Sequence, residues 1–254
     1  MNSKVCIVIP THKTKLPLNE SNALKRVLEL YDGKHDIFFA GPKSIQTDFY
    51  EHEDYKIPLI KFSDWYFSSN KGYNYLLVKP QFYKPFLGYD YMFLYQLDTF
   101  IFHDSLLKFC DWGYDYIGAP WTGDNWMKMM DKRTGTKFFT WFFNEVGNGG
   151  FSLRNCKKAY RIAKWFTPFR LIFWRKKWHE DLFWSTFCLH LVPGYKVAPT
   201  EKALQFAVED SPVESIQKLG GKLPFGCHAW EKNSPEFWIP HFQSLGYTME
   251  MPKP

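Results

Sequence analysis

Asp98 is the residue whose setting most clearly indicates chemistry. It lies in the apolar run Tyr91–Phe102, whose sequence is YMFLYQLDTFIF. A carboxylate among so many apolar neighbours is costly to bury unless something compensates its charge. We therefore predict that Asp98 sits at a strand end and faces a cation or a ligand. The alternative, a structural aspartate that caps a turn, fits the same run and stays open.

A pair of adjacent carboxylates, Glu180 and Asp181, stands at the head of the apolar segment Leu182–Leu191, which is predicted to be a helix. A carboxylate held near a reacting hydroxyl can accept its proton as a general base. Acidic residues in the first turn of a helix are also favoured by the helix dipole alone. The pair therefore indicates catalysis only in combination with other motifs.

Two further segments carry residue types that contact ligands. The segment Val146–Arg154 places three glycines beside a short apolar strand, and glycine lets backbone N–H groups approach a ligand closely. His228 lies in the short aromatic segment Pro224–Trp230, PFGCHAW. A plain glycine turn explains the first segment too, and a lone histidine is more often structural than a ligand, so both alternatives stay open.

The elements that must position these residues alternate between strand and helix. The predicted segments are a buried strand Lys4–Ile9, a helix Ser21–Tyr31, a strand His35–Ala40, a helix Asn70–Phe86 that breaks near Pro80, and a strand Tyr91–Phe102. This alternation predicts a parallel or mixed sheet with helices on both faces. The loop Pro10-Thr11-His12 follows the first strand, at the edge where open α/β sheets bind ligands.

The chain of 254 residues is long enough for one large α/β domain and leaves few residues for a second, so we predict a single domain over residues 1–254. Aromatic residues make up 20% of it, including 11 Trp and 25 Phe, which is more than a core needs. Most of these rings should pack in the core. Some should line a site, because flat apolar rings with polar tips suit sugars and bases.

The net charge and the cysteines indicate which partners and which cellular compartment to expect. The net charge of +6 favours anionic partners without identifying them. The five cysteines are widely spaced and form no Cys-x-x-Cys pair, which indicates neither a disulfide framework nor a zinc site and favours the reducing cytoplasm. The first apolar run is too short for a signal peptide, and no apolar stretch approaches the ~18 residues of a membrane span. We expect a cytoplasmic protein, soluble or peripheral at the inner face of the membrane.

The order of the motifs carries more information than any one of them. A strand with Asp98, a Gly-Gly strand, an acidic pair and a late histidine, in this order, resemble the GT-A glycosyltransferases over nearly the whole chain. The strings QLD, YDYIGAPW, GNGGFSLR, ED and PFG-H-W are similar to a bacterial family long catalogued as a domain of unknown function and assigned to glycosyl transfer. The resemblance implies a GT-A-like α/β domain with a mixed, mostly parallel sheet and helices on both faces.

The resemblance also implies the reaction. Such an enzyme moves a sugar from a nucleotide sugar, first of all a UDP-sugar, to a glycan or a lipid-linked saccharide, here in surface polysaccharide synthesis. In the inverting enzymes of this fold, a carboxylate of such an acidic pair takes the proton of the acceptor hydroxyl. The resemblance assigns Asp181 as the general base and Glu180 to orienting the acceptor or the base. The exchange of these two roles stays open.

A divalent metal, Mn²⁺ or Mg²⁺, is implied as the ion that stabilises the leaving pyrophosphate. GT-A enzymes hold this ion with an Asp-x-Asp motif, which is incomplete here. In the preferred register Gln96 takes the first position and Asp98 the last, and His228 is a second metal ligand. In the other register Phe100 takes the last position and no second carboxylate is present. Metal dependence stays open, and Arg154 is the alternative group for neutralising the leaving group.

The resemblance assigns the remaining site residues as well. Donor contacts are expected from Pro10, Thr11, His12, Tyr73, Asn74, Lys79, Gln96, Asp98, Asn148, Gly149 and Gly150. Trp121 and Trp230 are expected to stack against the acceptor. For Tyr73, Asn74 and Lys79, a place on an ordinary amphipathic helix without ligand contact is an equally good explanation of the sequence.

The segment Arg161–Trp178 mixes aromatic and basic residues, which suits an anionic membrane surface or a lipid-pyrophosphate-linked acceptor. A solvated basic helix packed on the sheet is the alternative. Nucleic acid is not expected as a partner, because no recognised module is visible and the charge excess is small. Two other functions stay open. They are a sugar nucleotidyltransferase, against which the glycine-free loop Pro10–Lys15 counts, and an inactive carbohydrate-binding protein, against which the acidic pair counts.

Overall fold

The computed structural model describes residues 3–122, 144–166 and 179–252. Within these residues the strands are β1 Val5–Pro10, β2 Asp36–Pro42, β3 Phe49–His52, β4 Tyr55–Phe62, β5 Tyr91–Tyr95, β6 Thr99–Ile101, β7 Tyr116–Gly118, β8 Phe151–Asn155, β9 Ala207–Val208 and β10 Gly226–His228. They form a seven-stranded sheet in the order β3-β4-β2-β1-β5-β8-β7 and a three-stranded sheet in the order β6-β10-β9.

The centre of the main sheet is parallel. Strands β4, β2, β1 and β5 run in the same direction. Strand β3 pairs antiparallel with β4 at one edge, and on the other side β8 pairs antiparallel with both β5 and β7, so β7 runs in the direction of β5. Strands β1 and β5 are buried almost throughout, as strands covered on both faces must be. The mixed α/β architecture expected from the sequence is confirmed.

The described helices are α1 Leu18–Tyr31, α2 Asn70–Leu76, α3 Pro80–Tyr83, α4 Leu106–Asp111, α5 Cys156–Trp165, α6 Glu180–Leu182, α7 Cys188–Leu191, α8 Thr200–Phe206, α9 Pro212–Lys218 and α10 Pro235–Ser244. Helix α1 buries one apolar face, which includes Leu24, Val27 and Leu28, in the main hydrophobic core. It begins directly after Pro17, earlier than the sequence pattern predicted.

The predicted break near Pro80 is confirmed. Helix α2 ends at Leu76, and α3 begins at Pro80, followed by a 3₁₀ turn Lys84–Phe86. Ser69 caps α2, because its hydroxyl accepts the Gly72 N–H at 3.1 Å. Proline fits the first position of α3, since the N–H it lacks has no partner there.

The prediction of one strand over Tyr91–Phe102 is wrong. Strand β5 ends at Tyr95, and after a turn the chain continues as β6 in the second sheet. The Gln96 N–H donates to the Gly150 carbonyl at 2.8 Å, and the Thr99 hydroxyl donates to the Gln96 carbonyl at 2.5 Å. These bonds close the turn, so Asp98 lies at a strand end, as its desolvation cost predicted.

The segment after the acidic pair is helical, as expected, but its geometry changes along its length. Helix α6 passes into a π-helical turn Phe183–Phe187, and α7 follows. Turns of this kind occur frequently at functional sites.

The hydrophobic side chains form two cores. The larger surrounds the main sheet, and the smaller packs α10 on the second sheet through Phe100, Trp238 and Phe242. All five cysteines are buried and unpaired. In the described ranges, no helix combines the length and hydropathy that crossing a membrane requires.

Candidate functional site

Two adjoining cavities open at the carboxyl edge of the main sheet, beside the ends of β1 and β5. The first, about 580 Å³, is bordered by Pro10, Thr11 and His12, and we call it the His12 cavity. The second, about 610 Å³, is bordered by Glu180 and Asp181, and we call it the Glu180 cavity. The residues that border both are Asn70, Tyr73, Gln96, Asp98 and Lys232.

A larger cavity, about 730 Å³, lies at the opposite edge, where β1, β2 and β4 begin. Its described wall includes Lys4, His35 and Lys56 and none of the predicted site residues. Ligands of open α/β sheets bind at the carboxyl ends of the strands. The two cavities at the carboxyl edge are therefore the candidate site, although the cavity at the opposite edge is larger.

Three polar side chains converge where the two cavities meet. Antiparallel pairing of β10 with β6 sets His228 opposite Thr99. His228 Nε2 then lies 3.6 Å from Asp98 Oδ1 and 3.4 Å from Gln96 Oε1. The Gln96 amide donates to the Tyr73 hydroxyl at 3.1 Å, which directs its oxygen toward the histidine. We call Gln96, Asp98 and His228 the junction cluster.

The junction cluster fits a divalent cation. Within the described residues, no group of three His, Cys, Asp or Glu side chains could hold a metal ion. The third oxygen or nitrogen donor at the junction is instead the amide oxygen of Gln96, a ligand type that suits Mg²⁺ and Mn²⁺. Asp98 Oδ1 is buried without a hydrogen-bond partner in the described part of the chain. Such an oxygen costs free energy unless a ligand pairs it, so this atom is available to a cation or to another polar ligand.

Glu209 stands behind His228. Its Oε2 lies 3.5 Å from His228 Nδ1, on the side of the ring that faces away from Asp98. Burial alone lowers the pKa of His228, but the carboxylates of Asp98 and Glu209 outweigh it and hold that pKa above its usual value. A carboxylate behind a ligating histidine fixes the orientation of the ring. Sequence reasoning missed Glu209, although Asp210 follows it directly and the two form a second Glu-Asp pair in the chain.

The glycine segment packs directly on both site clusters. A Cβ on Gly150 would overlap the side chains of Gln96 and His228, and a Cβ on Gly149 would overlap Glu180 Oε1. Asn148 adopts a left-handed backbone conformation, with φ of 59°. Its Nδ2 is buried with no hydrogen-bond partner among the described residues, and it borders the Glu180 cavity. The glycines are therefore required by the close approach of site side chains and not by a turn alone.

Glu180 is held in a buried ion pair. Its Oε1 lies 2.9 Å from Arg154 Nη2, and the two side chains are 5% and 1% exposed. Arg154 also donates to the Tyr83 hydroxyl, to the Ser152 hydroxyl and to the Gly149 carbonyl. Burial raises the pKa of the Glu180 carboxyl, and the guanidinium opposes that rise. The guanidinium is enclosed and committed to these partners, so the expectation that Arg154 could neutralise a leaving group is wrong.

Asp181 borders the same cavity. It is 8% exposed, and its Oδ1 accepts the Leu182 N–H at 2.7 Å. Asn74 Oδ1 accepts the Glu180 N–H at 2.8 Å and so caps the start of α6 from another helix. Asn74, predicted as a donor contact, thus positions the acidic pair and also borders the Glu180 cavity.

Replacing Arg154 by leucine should destabilise the fold strongly. The substitution leaves Glu180 as a buried carboxyl without its partner, and removing one member of a buried ion pair costs about 3–5 kcal/mol. The loss should grow as the pH rises. Burial raises the pKa of Glu180 in the folded chain, so the folded chain keeps this proton at pH values at which the unfolded chain has lost it. Raising the pH removes the proton and therefore favours the unfolded state. Urea unfolding at several pH values measures both effects.

Arg161→Leu is the matched control, because it removes an exposed arginine from α5. It should leave the free energy of unfolding nearly unchanged. Equal losses in the two variants, or a loss in Arg154→Leu that does not vary with pH, would contradict the structural role of the ion pair.

The two predicted acceptor tryptophans differ in placement. Trp121 borders the Glu180 cavity and packs over Gly147, whose missing side chain makes room for the ring. Trp230 is 1% exposed in the smaller core, with its ring centre 4.9 Å from that of Phe242. The prediction that Trp230 stacks on an acceptor is wrong, because no face of its ring is open.

Lys79 is also outside the site. Its ammonium lies 4.4 Å from the ring centre of Tyr75, and it is absent from the described walls of both cavities. The donor contact predicted for Lys79 therefore has no support from the described walls of these cavities. Lys232 borders both cavities instead, close enough to His228 to oppose protonation of that ring. Its position four residues after His228 was the only available signal, and sequence reasoning did not use it.

The other predicted donor residues gather around the two cavities. Pro10, Thr11 and His12 border one, the residues Asn148, Gly149 and Gly150 border the other, and Tyr73 borders both. Of the predicted membrane segment Arg161–Trp178, residues 167–178 lie outside the described residues.

A protein-family model matches residues 56–228, from β4 to the junction histidine. The family is described as "Protein of unknown function (DUF5672)". The chain belongs to this family. The region that matches DUF5672 includes the junction cluster, the glycine segment and the acidic pair. A comparison with curated proteins finds no match.

Solved structures show the fold of this DUF5672 chain. Galactosyltransferase LgtC, in complex with donor and acceptor sugar analogs, superposes with a TM-score of 0.58 and 14% identity over 98% of both chains. Core-mannan synthase A (CmsA/Ktr4) from Aspergillus fumigatus, in a Mn/GDP form, gives 0.51 and 10% identity over 78% of this chain and 73% of that one. The bifunctional glycosyltransferase WbbM gives 0.55 and 14% over 98% of this chain and 50% of that one. At these identities the likeness shows the fold alone, and that fold is GT-A.

Proposed function

We propose that this chain is a glycosyltransferase that moves a sugar from a nucleotide sugar to a glycan or a lipid-linked saccharide. The observation that carries the proposal is the junction cluster with its unpaired Asp98 oxygen, which shares a cavity wall with the acidic pair. A cation at the departing diphosphate assists transfer, and in a single displacement a base takes the proton of the acceptor hydroxyl. The LgtC and CmsA structures support the proposal, because these proteins of the same fold were solved with sugar analogs and with Mn and GDP.

The donor nucleotide is proposed to occupy the His12 cavity. Its wall offers the loop after β1 and the rings of Phe67 and Tyr73. The diphosphate would then meet the junction cluster and the Lys232 ammonium at the shared wall. A divalent cation held by the cluster, Mn²⁺ or Mg²⁺, supplies charge stabilisation for the departing diphosphate. A UDP-sugar is the first donor to test.

The transferred sugar and the acceptor are proposed to occupy the Glu180 cavity. The unpaired Nδ2 of Asn148 can donate to a sugar hydroxyl, and Trp121 offers an aromatic wall. Both carboxyl groups border this cavity, and Glu180 Oε1 is bonded to Arg154. Asp181 is proposed as the base, with Glu180 orienting the acceptor or the base. The acceptor oxygen attacks the anomeric carbon while its proton passes to Asp181 and the bond to the diphosphate breaks. A single displacement of this kind inverts the anomeric configuration.

The proposed setting is surface polysaccharide synthesis in the cytoplasm, with residues 1–254 acting as one domain. Buried, unpaired cysteines suit a reducing compartment.

A thermal-shift screen of nucleotide sugars tests the proposed function. The true donor with Mn²⁺ should raise the unfolding midpoint, because a ligand at 100 times its Kd adds about 2.7 kcal/mol to the apparent stability. Chelation of the metal with EDTA should remove most of that shift. A panel of UDP-sugars and GDP-sugars separates donor bases and sugars. If no nucleotide sugar shifts the midpoint with Mn²⁺ or without it, the proposed function is contradicted.

A further inference from the structure

Helix α5 presents a basic and aromatic stripe to solvent. Lys157, Arg161, Lys164 and Trp165 are exposed, and their spacing of four, three and one residues sets them on one side of the helix. The opposite side is buried in the main core through Ala159, Ile162 and Ala163. We call the exposed side the α5 stripe.

Trp165 is the unusual member of the stripe. It is 79% exposed, which is the largest value among the exposed large hydrophobic residues of the described chain. A tryptophan ring in water forgoes the burial that drives folding, whereas the ring is stabilised at the boundary between lipid headgroups and acyl chains. An exposed tryptophan beside cations therefore fits a lipid surface better than it fits bulk water.

All the charged side chains of α5 are positive. Its sequence, CKKAYRIAKW, contains four lysine or arginine residues and no carboxylate. Near the start of the helix, Lys157 pairs with Asp90 across 3.4 Å and Lys158 pairs with Asp115 across 2.6 Å. Arg161 and Lys164 lie toward the end of the helix, next to Trp165. A positive surface of this kind is complementary to a leaflet that carries anionic lipid.

The α5 stripe ends near the helix that carries the acidic pair. Strand β8 runs antiparallel to β5 and therefore away from the cavities, and α5 follows it. At the end of α5, the ring centre of Phe166 lies 6.2 Å from that of Phe183, two residues after Asp181. A surface that received the stripe would thus lie near the helix that carries the proposed base.

We propose that the α5 stripe docks the protein on a membrane surface that contains anionic lipid. Arg161 and Lys164 supply the electrostatic attraction, and Trp165 enters the headgroup layer. Docking of this kind needs neither donor nor metal, so it goes beyond the proposed function. It would bring a lipid-linked acceptor close to the Glu180 cavity.

Vesicle co-sedimentation tests the docking. The wild-type chain should bind vesicles of equal parts phosphatidylcholine and phosphatidylglycerol and should not bind phosphatidylcholine alone. Added salt should weaken this binding, because the electrostatic attraction is screened. Each cation near an anionic surface contributes about fivefold in affinity, so Arg161→Gln combined with Lys164→Gln should weaken binding roughly thirtyfold. Trp165→Ala should weaken binding further at high salt, where the apolar contribution remains.

The matched control is Lys218→Gln combined with Lys222→Gln, which removes one exposed lysine at the end of α9 and one in the loop that follows. It changes the net charge by the same amount and should bind vesicles like the wild type. Equal loss in the control and stripe variants would overturn the proposal, because net charge alone would then explain binding. Equal binding of the wild-type chain to both kinds of vesicle would also overturn it. Thermal shifts with nucleotide sugars, measured without vesicles, report separately on the proposed function, and the stripe variants should leave them unchanged.

Discussion

Asp181→Asn should bind a nucleotide sugar about as tightly as the wild-type chain and lose most of its transfer activity. An amide keeps the shape of the carboxyl group but cannot accept the proton of the acceptor hydroxyl. General-base catalysis typically contributes ~10²–10⁴-fold to the rate, so the loss should appear in kcat and not in donor affinity. Product formation with the true acceptor and thermal shift with the donor measure the two quantities separately.

Two companion variants make this result specific. Asp111→Asn, at the exposed end of α4, is the matched control and should keep full turnover. Glu180→Gln removes the charge that pairs with Arg154 and should lower stability as well as turnover, because an unpaired guanidinium remains buried.

The stereochemistry of the product tests the same step independently. NMR of the product should show inverted anomeric configuration if Asp181 acts as the base of a single displacement. Near-normal turnover in Asp181→Asn, or a retained configuration, would remove this mechanism and leave the proposed glycosyl transfer standing.

Asp98→Ala should abolish the metal-dependent part of donor binding and leave the fold intact. The side chain is 32% exposed, lies in a turn, and its Oδ1 has no hydrogen-bond partner among the described residues, so little structure depends on it. Removing even a partner behind a metal ligand typically costs ~10–100-fold in metal affinity, and losing a ligand should cost at least as much. Mn²⁺ titration by electron paramagnetic resonance and thermal shift with donor measure the effect.

A graded series around the junction sharpens that test. His228→Ala should weaken Mn²⁺ binding less than Asp98→Ala, and Glu209→Gln should weaken it by ~10–100-fold through loss of the partner behind His228. Asp111→Ala is the matched control and should bind Mn²⁺ like the wild type. Unchanged donor affinity in Asp98→Ala with Mn²⁺ present would rule out the assigned role. Unchanged Mn²⁺ affinity in His228→Ala would return that histidine to a structural role.

Local sequence patterns determined the elements whose causes are local. The spacing of apolar residues predicted β1 and α1, and the lack of an N–H on Pro80 predicted the break between α2 and α3. The cost of burying a carboxylate predicted that Asp98 lies at a strand end, although the single strand assumed around it was wrong.

Tertiary structure alone decided which side chains act together. Glu180 and Arg154 are 26 positions apart, and Asp98 and His228 are further apart still, so no local period reports their contact. The contact of Asp98 with His228 follows from the antiparallel pairing of β10 with β6, whereas Glu180 reaches Arg154 on β8 from helix α6. The same packing removed Trp230 from the site and brought Lys232 into it. Residue type and spacing can nominate a side chain for chemistry, but whether it meets solvent, an ion pair or a ligand depends on long-range packing.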